Sequence, residues 1–316
     1  MSLETSPAWC LEEQPIADSW LIEELWAAQA VGIVGGEPKC CKSFLALEMA
    51  VAVASGRPCL RRFAVRAPGP VLLYAAEDAL HVVRQRLDGI CRASGVSLQD
   101  ADIEVITVPT LRLDQVEDRR RLAETVARHQ PRLLVLDPFV RLHRIDENAS
   151  GEVAPILAYL RDLQRTHQLA VAVVHHARKG AGRMRGGQAL RGSSEFHAWG
   201  DSNLYLTRQG DQLALAIEHR AARSTERLPL HLDTDGPALA LVVGPSPAPP
   251  APTDPSSPAT PRDRICHILA EAGEPLALGE LRARCHMRTA TLCETLGELT
   301  REKTILKTPA GYALNA

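Results

Sequence analysis

Gly35-Gly36-Glu37-Pro38-Lys39-Cys40-Cys41-Lys42-Ser43 lies between two apolar runs. Upstream, Val31–Val34 has the character of a short buried strand. Downstream, Phe44–Ala54 is eleven residues without Pro or Gly, a length that favours a buried helix over a strand, and Gly56 is placed to end it. Strand, Gly-rich turn and a helix opening on Lys-Ser make the local context of a phosphate-binding loop. The first amides of a helix lack intrahelical partners and carry partial positive charge, so a phosphate fits there. Lys42 is then placed to reach the outer phosphates, and the Ser43 hydroxyl to ligate Mg²⁺. The full pattern is Gly, four residues, Gly, Lys, Ser or Thr. Gly36, Lys42 and Ser43 are in position, but Cys41 stands at the second Gly. A Cβ there either crowds the backbone where phosphate approaches or forces a strained dihedral. Taken alone, the stretch reads equally well as an ordinary strand-to-helix turn.

The flanking chain decides between the two. Val71–Ala75 reads as a second buried strand and runs directly into Glu77-Asp78. His81–Ser94 is a helix, Ile103–Val108 a third strand and Val116–His129 a charged amphipathic helix. Leu133–Leu136 is a fourth strand closing on Asp137-Pro138, Val153–Thr166 a helix, and Leu169–Val174 a fifth strand ending at His175-His176. Strands alternating with helices predict a mostly parallel sheet covered on both faces, with ligands at the carboxyl ends of the strands. Glu77, Asp137 and the two histidines all fall at such ends, facing the same crevice as the loop. Asn203–Thr207, Gln212–Glu218 and Pro229–Leu232 read as antiparallel strands that finish the sheet. Ser19–Leu25 reads as a short amphipathic segment capping the first strand.

Each candidate has a functional and a plainer reading. Asp137, after four apolar strand residues, is placed to hold the Mg²⁺ water shell, or is an acidic loop residue. Glu77 is placed to polarise an attacking water, or is a solvated carboxylate at a helix start, with Asp78 as its alternate. His175 and His176 point to opposite strand faces, so one can sense a γ-phosphate while the other enters the core. Residues 177–192 hold five Gly and five positive charges (Arg178, Lys179, Arg183, Arg185 and Arg191) and no acid. That composition suits the backbone of single-stranded DNA, or a plain surface loop. Arg220, late in a strand, can reach a neighbouring subunit's nucleotide as an arginine finger, or lie on the surface.

Composition sets bounds. The 316 residues hold 45% apolar and 4% aromatic side chains at net charge −2, so the core is aliphatic and any nucleic-acid contact must be local. None of the eight Cys forms a C-x-x-C pair, which leaves no zinc-ribbon or disulfide signature and suits reduced thiols in the cytoplasm. The acidic start without a basic n-region predicts no signal peptide, and no apolar run reaches membrane-spanning length. Residues 244–261 hold eight Pro in eighteen positions and predict a semi-extended linker. Fully extended, it spans about 55 Å at roughly 3.1 Å per residue. Beyond it, three helices (Arg262–Ala272, Leu278–Cys285 and Arg288–Glu302) precede a hairpin formed by Thr304–Lys307 and Tyr312–Leu314, the layout of a winged helix. Its recognition helix would start at Arg288 and meet duplex DNA. With eight basic and seven acidic residues over 262–316, protein–protein contact is the rival reading.

The motifs in order resemble a known family. Trp-Leu-Ile-Glu…Gly-Glu-Pro-Lys-x-x-Lys-Ser-Phe-Leu-Ala-Leu (20–47), Val-Leu-Leu-Tyr-Ala-Ala-Glu-Asp (71–78), Leu-Val-Leu-Asp-Pro-Phe…Asp-Glu-Asn (134–148) and His-His-Ala-Arg-Lys…Arg-Gly-Ser-Ser (175–194) are similar to the RepA-like, AAA_25-type branch of the RecA/DnaB-like P-loop ATPases. The resemblance covers about residues 18–235. It implies an α/β, RecA-like fold, ATP and Mg²⁺ binding, assembly into a homo-oligomer such as a hexameric ring or a filament, and DNA-linked work such as a helicase's in plasmid or phage replication. By motif match it assigns the nucleotide to Gly36, Glu37, Pro38, Lys39, Cys40, Cys41, Lys42, Ser43 and Phe44. It assigns the catalytic carboxylate to Glu77, the second acidic motif to Asp137, the γ-phosphate sensor to His176 and the finger to Arg220. Cys41 departs from the family glycine, and Glu218 stands where DnaB-like relatives carry Lys; both departures bear on turnover more than on fold. The expected layout is an arm over 1–18, an ATPase domain over 19–243, the linker over 244–261 and a winged-helix-like domain over 262–316. A nucleotide-binding regulator or adaptor with weak hydrolysis is the alternative function.

Overall fold

The computed structural model describes residues 5–10, 19–176, 195–235, 238–244, 261–285, 287, 289–302 and 304–315. The chain divides into two compact units, residues 1–246 and 247–316.

The first unit opens with a small hairpin, β1 (Trp20–Ile22) and β2 (Trp26–Ala27). There follow β3 (Val31–Gly36), α1 (Lys42–Ser55), β4 (Val71–Ala75), α2 (Leu80–Ala93), β5 (Ile103–Val105) and α3 (Val116–His129). Then come β6 (Leu133–Asp137), α4 (Ser150–His167), β7 (Ala170–His176) and α5 (Glu195–Trp199). β8 (Ser202–Gln209), β9 (Gln212–His219), β10 (Thr225–Asp235) and β11 (Ala238–Val243) complete a nine-stranded sheet. Its strand order is β11-β10-β9-β8-β3-β7-β6-β4-β5.

Alternate residues of the central strands feed two cores. Val34, Leu73, Val135 and Val174 face α1 and α2, whereas Ile33, Leu72, Leu134 and Val173 face α3, α4 and α5. This period-two sorting, with both faces buried, is why these strands read as unbroken apolar runs. Helix α1 is buried almost all round, from Phe44 to Val53. The sheet is the cause: β11 packs against α2 and α1, and Leu213, Leu215, Leu228, Leu230 and Leu241 join the α1 core. A helix enclosed in this way has no solvent face to carry polar residues.

Three local expectations change. The segment before the first strand is a hairpin with Trp26 fully buried, and Ala27 N donates to Ser202 Oγ at 3.0 Å. β8 does not open an all-antiparallel extension: it pairs parallel to β3 and antiparallel to β9. A further strand, β11, forms the edge, and β5 ends at Val105. β8 can run so close to β3 because Gly32 lacks a side chain; a Cβ there would sit 1.6 Å from the Ser202 carbonyl oxygen.

The second unit holds α6 (Pro261–Ala272), α7 (Leu278–Cys285), α8 (Thr289–Arg301) and a hairpin, β12 (Ile305–Thr308) with β13 (Gly311–Leu314). Ile265, Leu269, Leu281, Leu292, Leu296 and Ile305 form its own core. Among the described residues no helix is long and apolar enough to cross a membrane.

Candidate functional site

Gly36 ends β3 between His176 of β7 and Leu206 of β8. Its φ is 156°, and a Cβ would meet the Leu206 carbonyl oxygen at 2.5 Å and Cys40 Sγ at 2.6 Å, so only glycine fits. The loop then passes through left-handed residues at Lys39 (φ 64°) and Cys41 (φ 65°). Turns of this kind bring successive amides to one concave side, the geometry of an anion nest. Cys41 is the N-cap of α1 and makes no side-chain cap hydrogen bond. The first turn of α1 therefore has no carboxylate or hydroxyl of its own at that cap. Of the two outcomes expected for Cys41, the structure takes the strained dihedral. Its Sγ accepts from the guanidinium of Arg208, at the end of β8, at 3.4 Å.

Lys42 is buried, and its Nζ donates to the Glu37 carbonyl oxygen at 2.7 Å, so the ammonium lies along the loop. Ser43 and Asp137 line the same cleft. Asp137 is itself buried at the end of β6, with its carboxyl pushed up to about 6. Burial is the main cause, with the Ser43 hydroxyl and Lys42 opposing it and Asp78 and Glu77 adding to it. A hydroxyl and a carboxylate are hard oxygen donors of the kind a divalent cation takes, and among the described residues no group of three or more His, Cys, Asp or Glu is placed to hold a metal.

Glu77 follows β4 and pairs with Arg141, the Nε donating to Oε1 at 3.0 Å. Asp78 pairs with Arg86 of α2. The two adjacent histidines separate as expected of a strand. His175 is 1% exposed and packs its ring on Phe196 (centroids 4.2 Å apart) and edge-on to Phe139 (5.8 Å), while His176 faces the cleft.

A cleft of about 430 Å³ joins these groups. Lys39 to Phe44, Glu77, Asp137 and His176 line it, together with Arg86, Pro138, Val174, Leu232 and Leu239. Gly36, Glu37 and Pro38 lead into it along the loop. Arg220 is not in the cleft. It lies just past β9, where its guanidinium donates to the carbonyl oxygens of Ala198 (2.6 Å) and Trp199 (3.3 Å) and sits 3.4 Å from Asp201. Glu218 stands 3.6 Å from His197. Arg178, Lys179, Arg183, Arg185, Arg191 and Arg288 lie outside the described residues. Sequence reasoning missed Arg208, Arg141, Arg86, Leu232 and Leu239. All but Arg86, eight residues from Asp78, enter through contacts distant in the chain, and none carries a local motif.

The family model described as an AAA domain, AAA_25, matches residues 2–182, more than half of the chain. A solved DnaB-like replicative helicase, described together with its interactions with primase, superposes on 67% of this chain at 13% identity and TM-score 0.51. The match spans 59% of that helicase's own chain. A KaiC-like protein from Pyrococcus horikoshii matches 71% of this chain and 94% of its own at 16% identity and TM-score 0.48. The likeness to the helicase is one of fold: a central, mostly parallel sheet of the RecA type.

Proposed function

This chain belongs to the AAA_25 family of AAA domains, and we propose that it binds ATP with Mg²⁺ and hydrolyses it as part of a DNA-associated, oligomeric, helicase-like machine. The observation that carries the reading is that Ser43 and the buried Asp137 line one cleft at the mouth of an uncapped helix beginning on Lys42. Those residues bring the acidic end of β6 to the phosphate loop.

In this reading the loop amides and Lys42 neutralise the phosphates, and Lys42 leaves the Glu37 carbonyl to do so. Ser43 and Asp137 would hold Mg²⁺, which supplies charge neutralisation at the outer phosphates. Glu77 orients and polarises the attacking water, with Arg141 setting the direction of its carboxylate. His176 faces the outermost phosphate and relays its presence through β7. Arg220 serves a neighbouring subunit in a ring, which requires it to leave the carbonyls of Ala198 and Trp199. The basic residues of 177–192 contact single-stranded DNA. The second unit, with its three helices and hairpin, is read as a winged helix contacting duplex DNA or protein, with Arg288 at the start of its recognition helix.

The test is steady-state ATP hydrolysis with and without single-stranded DNA, on wild type and Lys42→Ala. The reading expects DNA-stimulated turnover lost in the variant; unstimulated wild-type turnover would remove DNA from it. A second reading, a nucleotide-holding regulator with slow hydrolysis, is favoured by Cys41 in a strained conformation and by Glu77 being tied to Arg141. Calorimetric ATP binding without turnover, with turnover gained in Cys41→Gly, would select it.

A further inference from the structure

Three loops leave the carboxyl ends of neighbouring strands, and one arginine ties two of them to the third. Glu77 follows β4, Arg112 lies between β5 and α3, and Arg141 follows β6. The sheet places β6, β4 and β5 side by side. Arg112 Nη1 donates to the main-chain carbonyl oxygens of Arg141 (2.8 Å) and His143 (2.9 Å). Arg141 Nε in turn donates to Glu77 Oε1 at 3.0 Å. A line of contacts therefore runs from a half-buried arginine, through an exposed one, to the carboxylate given above to the attacking water.

The first link of that line is firmly seated. The main-chain N–H of Arg112 donates to Asp118 in the first turn of α3 at 2.7 Å, and Leu113 N donates to the Leu142 carbonyl oxygen at 2.5 Å. Leu111 and Leu113, on either side of Arg112, are buried in one core with Phe139 and Leu142. Phe139–Arg141 is a 3₁₀ turn, and the Phe139 ring lies 4.5 Å from that of His143. The second link is loose by comparison, because the Arg141 side chain is 59% exposed. A long exposed side chain loses rotamer freedom when it is held at one carboxylate. The point from which it leaves the main chain then decides how much it must lose, and that point is what Arg112 grips. Arg112 itself does not line the cleft.

We infer that Arg112 is a positioning residue for Glu77. By holding the carbonyls of Arg141 and His143 it sets where the Arg141 guanidinium stands, and through it the direction of the Glu77 carboxylate. The inference deepens the hydrolysis reading above and rests on it. A carboxylate that polarises water must keep an oxygen within hydrogen-bond reach of it, at about 3 Å. Small errors in such placement are costly in rate even when they originate away from the chemistry.

The experiment measures kcat for ATP and equilibrium ATP affinity in the full chain, for wild type, Arg112→Met, Arg112→Lys, Arg141→Met and the Arg112→Met/Arg141→Met double variant. Methionine keeps much of the stem and removes the donors. The expected result is kcat lower by about tenfold in Arg112→Met, with ATP affinity within about twofold of wild type. Arg112→Lys should recover part of the rate, since it keeps a cationic donor. In the Arg141→Met background, Arg112→Met should cost under about twofold more, because the two residues act as a unit. An equal loss in both backgrounds, a matching loss of affinity, or an unchanged or raised kcat in Arg112→Met would each overturn the inference. A crystal structure of Arg112→Met gives a readout independent of turnover: Arg141 Nε still at 3.0 Å from Glu77 Oε1 would overturn it as well, and a displaced Arg141 would support it. Wild type that does not hydrolyse ATP would instead overturn the hydrolysis reading, and the crystal structure would still decide what Arg112 holds in place.

Discussion

The guanidinium of Arg208 donates to Sγ of Cys41 at 3.4 Å, tying the end of β8 to the residue that caps α1. The contact links a strand beside the loop to the position where the motif calls for glycine. The left-handed backbone of Cys41 costs a residue with a Cβ on the order of 1 kcal/mol. Cys41→Gly should therefore raise stability by about 0.5–1 kcal/mol, lifting the melting temperature by about 1–4 °C. Arg208→Ala should leave it within about 0.5 kcal/mol, because the arginine is exposed. Thermal unfolding followed by circular dichroism checks both. A lower melting temperature in Cys41→Gly would mean that the thiol contact outweighs the strain.

Asp137 predicts a trade between stability and activity. Its carboxyl is held up at about 6 against an ordinary 3.8, so the folded state binds more protons than the unfolded state between those values. Stability is therefore lost as pH rises from about 4 to about 6, by as much as about 3 kcal/mol without Mg²⁺. Asp137→Asn removes that loss and should be more stable than wild type at pH 8 in urea titrations. The same variant should lose about 100-fold or more in ATP turnover if this carboxylate holds the metal.

The Glu77–Arg141 pair is open to solvent on both sides, so it contributes little to folding. Arg141→Ala should change stability by under about 1 kcal/mol. Glu77→Gln should lower kcat by about 10²–10⁴ while leaving ATP affinity near its wild-type value, since the role proposed is proton transfer. Single-turnover hydrolysis beside equilibrium binding separates the two effects. A large loss of affinity in Glu77→Gln would show that the carboxylate positions nucleotide instead.

Glu48 gives a second pH prediction, away from the cleft. It is buried in α1 at 3% exposure, and burial pushes its carboxyl up to about 8, with Arg61 opposing. The folded state keeps the proton that the unfolded state has already released. Stability therefore falls as pH rises from about 4.5 to about 8, by a few kcal/mol (about 3–5). Glu48→Gln should flatten that slope, so its urea midpoint should exceed that of wild type at pH 8.5 and approach it at pH 5. Parallel pH profiles for the two proteins would mean that Glu48 is ionised and solvated.

The parallel part of the fold is legible in the chain because each central strand is a short apolar run buried on both faces. Asp137 and His176 mark strand ends for the same reason: the apolar run stops where the sheet meets solvent. Helix α1 is legible from its length without Pro or Gly. The parallel pairing of β8 with β3 depends on Gly32 admitting the Ser202 carbonyl, a contact across 170 positions that no local pattern announces. β11 is hidden because Ala238–Val243 alternates weakly and is recruited by α2. The leucines at the cleft come from the β10–β11 edge, Arg208 from β8 and Arg141 from the turn after β6, so none lies next in sequence to the group it meets. The left-handed turn at Cys41 was one of two outcomes a Cβ allowed there, and only the folded loop selects between them.

The two borders of the large sheet are treated differently from its middle. On one side β5 has only three residues, and on the other β11 is covered by helical packing. Neither border offers a long, bare row of amides and carbonyls to a stray strand. Recruitment of a foreign strand is therefore limited at both borders of the large sheet for as long as α2 stays packed on β11.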